Sequence, residues 1–361
     1  MKTFIGLRAV LIAVVTIAAL ETVFDGAAHV AWAQDKPAGL SGAAKNLYEA
    51  ARKEGQLVLW GPPTETVEKF YPQEFQKAFP GIAVKAIGDS QAPQKLLTEA
   101  LAGVHQADVF WWPISGFLDL EKRGLVAKFD TGAVAAFGIG PGDTTLDGRG
   151  LRAANVIYTL EYDNRRLKRE ELPKTWEDLL DPRWRGRIVG ATLLMPGVPS
   201  TYGLFKGEQW MLDFARKLRD EAKVTMVPST PLAREMLLRG EKDLVVSLIS
   251  ETLKRKHLHN EPVDWAPVGP AWSTQHILGV LEKAPHPNAA RLFALWGASK
   301  EGKIAMERES FDADGRPGAP TRLAKLVQDA RLEIVFEDPQ NTRPRAGFYG
   351  KARAVLTGET K

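Results

Sequence analysis

The sequence predicts an α/β fold in two regions, each a mainly parallel sheet covered by helices. Three observations carry that expectation. Short apolar runs alternate with helical patterns at intervals of about 25 residues, the mark of β-α-β units. The runs are continuous rather than alternating, as in strands covered on both faces. A chain of 361 residues also exceeds what one core usually supports, so about two are expected.

Before the first such unit lies a targeting pattern. Lys2 and Arg8 precede an uncharged apolar run from Ala9 to Leu20, too short to span a bilayer but suited to a signal-peptide core. Ala31-Trp32-Ala33 is a small-x-small cleavage site, with Gly26-Ala27-Ala28 as the alternative. A lone Arg8 points to general secretion rather than the twin-arginine route. Residues 1–33 are therefore expected to be a signal peptide, and the mature protein to be periplasmic.

The mature chain opens with a helical pattern from Gly42 to Glu54, stopped by Gly55. Leu57-Val58-Leu59-Trp60 is the first strand and ends in the turn Gly61-Pro62-Pro63-Thr64, where Thr64 can cap the next helix. Pro72 interrupts that helix or starts its second half. Ile82–Ile87 is the second strand, followed by the loop Gly88-Asp89-Ser90 and a helix from Pro93 to Ala102. Asp108–Trp112 is the third strand, closed by Pro113. Residues 131–150 read as loop before a strand at Asn155–Tyr162.

In the second region a short helix spans Trp176–Leu180 and a strand Arg187–Ala191. A helix is expected from Ser200 to Leu218, with Ser200 and Thr201 at its start beside free backbone N–H groups. Val224–Val227 is a strand, Ser229-Thr230-Pro231 caps the helix after it, Leu244–Leu248 is another strand and Glu251–Leu258 a charged helix. No low-complexity linker separates the regions, which suggests lobes joined by crossing strands.

Composition excludes several chemistries. With no cysteine there is no disulfide framework, thiolate nucleophile, Cys-ligated zinc or N-terminal lipid anchor. The net charge of +4 is spread along the chain without a basic block, which argues against a nucleic-acid partner. No GxSxG, HExxH, P-loop or dinucleotide fingerprint occurs. An enzyme is accordingly not expected, and neither a cofactor nor a metal-ligand set is read from the residues. The five mature histidines, His105, His257, His259, His276 and His286, are expected in surface or capping roles.

One segment carries a specific resemblance. Leu172-Pro173-Lys174-Thr175-Trp176-Glu177-Asp178-Leu179-Leu180-Asp181-Pro182-Arg183-Trp184-Arg185-Gly186-Arg187-Ile188 resembles a signature of the extracellular solute-binding proteins of ABC importers. Within these it is similar to the branch holding ferric-iron, thiamine, phosphonate and polyamine binders. Tyr48-Glu49-Ala50-Ala51-Arg52-Lys53-Glu54-Gly55, Phe79-Pro80-Gly81-Ile82 and Ala107-Asp108-Val109-Phe110 add support in the first region. Lys283-Ala284-Pro285-His286-Pro287 and Ser299-Lys300-Glu301-Gly302 extend it in order over nearly the whole mature chain.

The resemblance implies the bilobal type 2 periplasmic-binding-protein fold, two α/β lobes joined by crossing strands with a ligand cleft between them. Crossings are expected near Asn155–Tyr162 and Trp265–Thr274. The lobes would then be residues 34–155 for the first part of lobe 1, 156–267 for lobe 2, and 268–361 for the return to lobe 1 and the C-terminal helices. The implied partners are a small-molecule ligand and an inner-membrane ABC permease, and the protein is expected to be a monomer. Receptors that present ligand to a sensor are a further class.

The ferric binders of the family supply tyrosinates, often an adjacent pair after the strand equivalent to Leu244–Leu248. Here Ser250-Glu251 stands there, and none of the six tyrosines is adjacent to another. A ferric ion favours anionic oxygen ligands, so iron becomes the alternative and a small organic solute, anionic in part, the main expectation. Ligands of parallel sheets sit beyond the carboxyl ends of the strands. The residues expected there are aromatic (Trp60, Trp112, Trp272, Tyr202) or polar (Thr64, Asp89, Ser90, Ser200, Thr201, Ser229, Thr230). Each ring serves equally as core packing, and each hydroxyl as a plain helix cap. Glu251 offers a carboxylate to an amine, or is a solvated residue beside Lys254 and Arg255.

Overall fold

A computed structural model describes residues 42–359, so the signal-peptide expectation lies outside the described residues. Among the described residues no helix is long and apolar enough to cross a membrane.

The first half builds as the apolar runs require. Helix α1 (Gly42–Glu54) leads into β1 (Gln56–Gly61), and α2 (Tyr71–Ala78) into β2 (Ala83–Gly88). Helix α3 (Ala92–Leu101) then leads into β3 (Val109–Pro113). Pro72 sits in the first turn of α2, where its missing N–H costs nothing, and a π-type turn at Thr66–Phe70 precedes it. The three strands are parallel, in the order β2-β1-β3.

The stretch 131–150, expected as loop, holds more structure. After α4 (Leu118–Lys122) comes α5 (Thr131–Ala136), whose cap Asp130 accepts a bond from the Ala133 N–H at 2.8 Å. A two-residue strand, β4 (Thr144–Thr145), pairs with the start of β5 (Gly150–Asp163). Asp130 is a strong capping residue, and its signal was outweighed by the Gly- and Thr-rich composition around it.

The second half carries β6 (Ile188–Ala191), α6 (Gly197–Lys206), α7 (Glu208–Asp220), β7 (Thr225–Val227), α8 (Thr230–Leu238), β8 (Leu244–Leu248), α9 (Ile249–Leu258) and β9 (Val263–Ala266). The single helix expected from Ser200 is instead two. Gly207, at φ +84°, breaks the chain between α6 and α7, and α6 begins three residues earlier than expected, at Gly197. The chain then returns through β10 (Ala271–Val280), α10 (Pro287–Ala298), α11 (Lys300–Ser310), α12 (Arg322–Asp329), β11 (Ile334–Phe336) and α13 (Pro339–Thr357).

The fourteen-residue strand β5 joins the halves. Its first part pairs antiparallel with β10, through Leu151↔Leu278 to Ile157↔Ser273. Its last part pairs with β8, Tyr158↔Leu248 to Tyr162↔Leu244, and with β9 on its other edge. Strand pairing along the return chain changes from the second half to the first between Ala266 and Ala271. The C-terminal helix α13, which the expected division puts with lobe 1, packs against α6 and α7.

Each half has its own core. Leu57, Leu59, Phe75, Trp111, Phe293 and Trp296 are buried together in the first. Leu160, Trp176, Trp184, Tyr202, Phe214 and Leu244 are buried together in the second. Each such side chain contributes about 1.5–3 kcal/mol of transfer free energy. The signature segment supplies Trp176 and Trp184 to the second core, so its tryptophans are structural.

Charge is also buried, in matched pairs. Arg234, 4% exposed, donates Nε to Glu161 Oε1 at 2.6 Å and Nη2 to Oε2 at 2.9 Å, while Glu161 is fully buried. Ser247 and Thr252 complete the carboxylate's shell. Removing one partner strands the other charge in a dry core. Arg234→Met is expected to lower the stability of the second half by about 3–5 kcal/mol, read from guanidinium unfolding midpoints. The double replacement Glu161→Leu/Arg234→Met should cost far less; equal losses would contradict the pairing argument.

Candidate functional site

Strand register places one end of each half at a common junction. In the first half Gly61 pairs with Gly88, and Pro113 with His276, so the carboxyl ends of β1, β2 and β3 share an edge with the middle of β10. In the second half Ala191 pairs with Val227 and Leu248 with Tyr158, which puts the ends of β6, β7 and β8 beside the middle of β5. β5 and β10 run through both edges. The candidate site is therefore the cleft between these two rows of strand ends, where ligands of parallel sheets bind.

The first row is closely packed. A Cβ built on Gly88 would fall 2.1 Å from Glu68 Oε1 and 2.7 Å from the Pro63 Cα, so only glycine lets the turn after β1 fold over the end of β2. Thr64 is exposed and its Oγ1 accepts from the Val67 N–H at 3.5 Å, the expected cap in weak form. Asp89 accepts the Gln91 N–H at 2.8 Å and is ion-paired with Lys95, whose hydrogen bond holds its carboxyl below the usual range. Ser90 is exposed. Trp60 is 6% exposed and packs with Ala92, Leu96 and Phe110 in a core under the sheet. Trp112 is half-buried and stacks on Phe110, with centroids 5.5 Å apart and planes at 17°.

In the second row the expectation for α6 is corrected. Ser200 and Thr201 are buried, and their hydroxyls donate to the Gly197 carbonyl at 3.0 and 2.8 Å. The Ser200 N–H donates to the Pro196 carbonyl at 3.2 Å. These groups are spent inside the helix because it starts at Gly197, and they offer no capping hydroxyl or free N–H to an anion. Tyr202 is also interior, 1% exposed among Phe205, Trp210 and Phe214, where burial raises its pKa. Ser229 does cap α8, accepting from the Leu232 N–H at 3.4 Å, and is exposed; Thr230 is half-buried.

Two groups of side chains meet at the junction. The first surrounds Trp272, which is 2% exposed and donates its Nε1–H to Thr274 Oγ1 at 2.9 Å. The Arg345 guanidinium of α13 lies 4.0 Å from the Trp272 ring centroid and 5.6 Å from that of Tyr158. Its Nη2 donates to the Gly197 carbonyl at 3.2 Å. The second gathers Glu251, in the first turn of α9, with Lys254, Glu65, Thr66 and Asp312. Lys254 Nζ bonds Glu65 Oε2 at 2.8 Å, an ion pair between the turn after β1 and the helix after β8. Thr66 Oγ1 donates to Asp312. Burial pushes Asp312 up to about 6; the Thr66 bond and Lys254 oppose this and Glu251 reinforces it.

Sequence reasoning missed Arg345, Tyr158 and Asp312, and read Lys254 only as surface charge. His276, expected at the surface, stacks on Trp111 at 4.5 Å and 20°, and burial pulls it down to about 4. Two open concavities are found among the described residues. One, lined by Gly124, Lys128, Arg149, Glu282 and Arg291, is at the opposite end of the first sheet. The other, lined by Glu121, Asp147, Arg152 and Asp338, adjoins the start of α13. Neither holds a residue expected to bind ligand.

The bacterial extracellular solute-binding protein family matches residues 60–304, roughly two-thirds of the chain. The chain belongs to that family. It is a solute-binding protein of the ABC-transporter family, and its family and fold are those of non-enzymatic transport components. An uncharacterised Haemophilus influenzae protein is 30% identical over 142 residues, a match spanning 37% of this chain and 40% of that protein. Among solved structures, iron-bound HitA from Pseudomonas aeruginosa superposes with a TM-score of 0.67 at 21% identity, over 83% of this chain and 99% of its own. Apo FutA2 from Synechocystis gives 0.64 at 16%, covering 84% and 98%. The substrate-binding protein of an ABC transporter from Agrobacterium tumefaciens gives 0.63 at 18%, covering 85% and 96%. At these identities the likeness establishes the fold, the bilobal type 2 periplasmic-binding architecture.

The raised pKa of Asp312 has a stability consequence. Because its folded value lies above the unfolded one near 3.8, its contribution is full below about pH 4 and is lost as pH rises through about 6. Asp312→Asn should therefore be stabilised relative to wild type by about 2 kcal/mol at pH 7.5 and by much less at pH 4. Denaturant unfolding at both pH values checks this; an equal difference at the two would contradict it.

Proposed function

We propose that this receptor is periplasmic and captures a small organic solute carrying an anionic group, holding it in the junction between the two halves and delivering it to an inner-membrane permease. The observation that carries the reading is the donor set at the junction. It combines the half-buried Trp112, the Trp272–Tyr158 pair at the border of the second core, the Arg345 guanidinium against that pair, and Lys254 ion-paired with Glu65. Aromatic faces give contact area to an organic body, and cations pair with an anionic substituent. The division into a first lobe, a second lobe and a return is proposed with the crossings at β5 and between β9 and β10.

Iron is the second reading, favoured by what HitA is described as holding. Against it stand Ser250 and Glu251, which follow β8 where ferric binders of the family carry tyrosines. Two tyrosines stand at the junction: Tyr158 has an arginine over its ring, and Tyr349 Oη donates to the Leu193 carbonyl at 2.9 Å just beyond β6. A hard trivalent ion is repelled by such a cation and needs several anionic oxygens.

Calorimetry against carboxylates, phosphonates, polyamines, thiamine and ferric salts tests the proposal. An organic oxyanion is expected to bind with 1:1 stoichiometry, and ferric salts to produce no visible tyrosinate charge-transfer band. Binding of ferric iron alone, with such a band, would overturn it.

A further inference from the structure

We infer that Arg345 is the residue that receives the ligand's oxyanion, with Trp272 and Tyr158 as the platform that aims it; this rests on the organic-anion reading above. The guanidinium has the position. Helix α13 packs against α6, which follows β6, and against the turn Ile114–Gly116, which follows β3. Its early turns thus face strand ends of both halves.

The guanidinium also has unspent capacity. Of its five N–H donors, Nη2 reaches the Gly197 carbonyl and another faces the Tyr158 side chain, while Nε is out of solvent with no partner. Three other enclosed cations are matched, Arg234 with Glu161, and Lys303 and Arg316 with Asp314, while Arg152 has a neutral partner, Gln275 Oε1 at 3.3 Å. No carboxylate lies within ion-pair distance of Arg345 among the described residues. Glu337 is close enough to interact, yet its oxygens accept from the Gln275 N–H at 2.9 Å and Thr342 Oγ1 at 3.2 Å. Burial pushes Glu337 up to about 7, so it is a poor counter-ion, and burial likewise lowers the pKa of Arg345. An enclosed cation held against two rings without a paired anion is unfavourable in the empty protein and is relieved by a bound carboxylate, phosphate or phosphonate.

The local backbone is shaped for that cation. A Cβ on Gly197 would fall 2.8 Å from Arg345 Nη2 and 2.6 Å from Tyr158 Cε1. Glycine at the start of α6 is therefore what lets the guanidinium lie between the ring and the helix. Lysine could place a charge there but not a planar fork, so the geometry selects arginine.

The test uses inorganic phosphate, methylphosphonate and citrate, each against chloride at matched ionic strength. It follows thermal unfolding midpoints and calorimetric binding of the mature protein. At least one of the three is expected to raise the wild-type midpoint. Arg345→Gln should abolish that rise, and Arg345→Lys should weaken binding by about tenfold or more. Arg343→Gln, a change of an exposed arginine paired with Asp119, should leave it unchanged. The pattern across the anions tells a carboxylate site from a phosphorus oxyanion site. If an anion binds wild type and both Arg345 variants equally, the assignment of Arg345 fails while the organic-anion reading stands. If none of the anions acts and ferric salts or polyamines do, both fail.

Discussion

The continuity of β5 is the constraint on which the site depends. One strand of fourteen residues is hydrogen-bonded first into one sheet and then into the other, so its register fixes the offset between the halves. Because side chains alternate and a slip by one residue would turn every one of them over, that register is strongly specified by the two cores. Ile157 pairs with Ser273 in the first half and Tyr158 with Leu248 in the second. The change of sheet thus happens between adjacent residues, and Tyr158 is delivered to the junction. A few strand residues between two packed bodies are the kind of joint about which domains hinge.

Around that joint the protein treats charge in two ways. Inside the halves, the Glu161–Arg234 pair and the Asp314 cluster match buried carboxylates with cations. At the junction the matching is incomplete: Arg345 lacks an ion pair among the described residues, and Asp312 and Glu337 are pushed toward their neutral forms by burial. Charged groups with perturbed titration beside a cleft are candidates for a binding site. The Glu65–Lys254 ion pair spans the same junction and ties the turn after β1 to α9. Partly exposed, it contributes modestly, which suits a contact that forms and breaks with closure.

Much of the architecture was legible because local chemistry and global fold agree. Strands β1 and β3 are continuous apolar runs, and Gly61-Pro62 and Pro113 stop them where the structure stops them. Ser229 and Pro231 at the start of α8 are another agreement. The start of α6 was misread because Pro199 looks like the edge of a helix, whereas proline is equally at home inside the first turn. That shift of three residues turned two expected ligand hydroxyls into internal ones. Trp60 and Tyr202 show a different limit, since an aromatic residue at a strand end or helix start has no local feature that says which face it takes. Arg345 could not be read at all. Its meaning comes from Trp272, Tyr158 and Gly197, which lie far from it in sequence and meet it only through β5, β10 and α6.

The account makes one claim central: the two rows of strand ends approach each other over an organic oxyanion. The absence of cysteine makes a direct measurement clean, because labels attach only where they are introduced. Ser90 and Ser229 are exposed and follow β2 and β7, one on each side of the cleft. Spin labels on Ser90→Cys/Ser229→Cys, read by double electron–electron resonance, should report a shorter, narrower distance distribution when a binding oxyanion is added. A distribution unchanged by every organic anion, but shortened by ferric iron, would contradict the account.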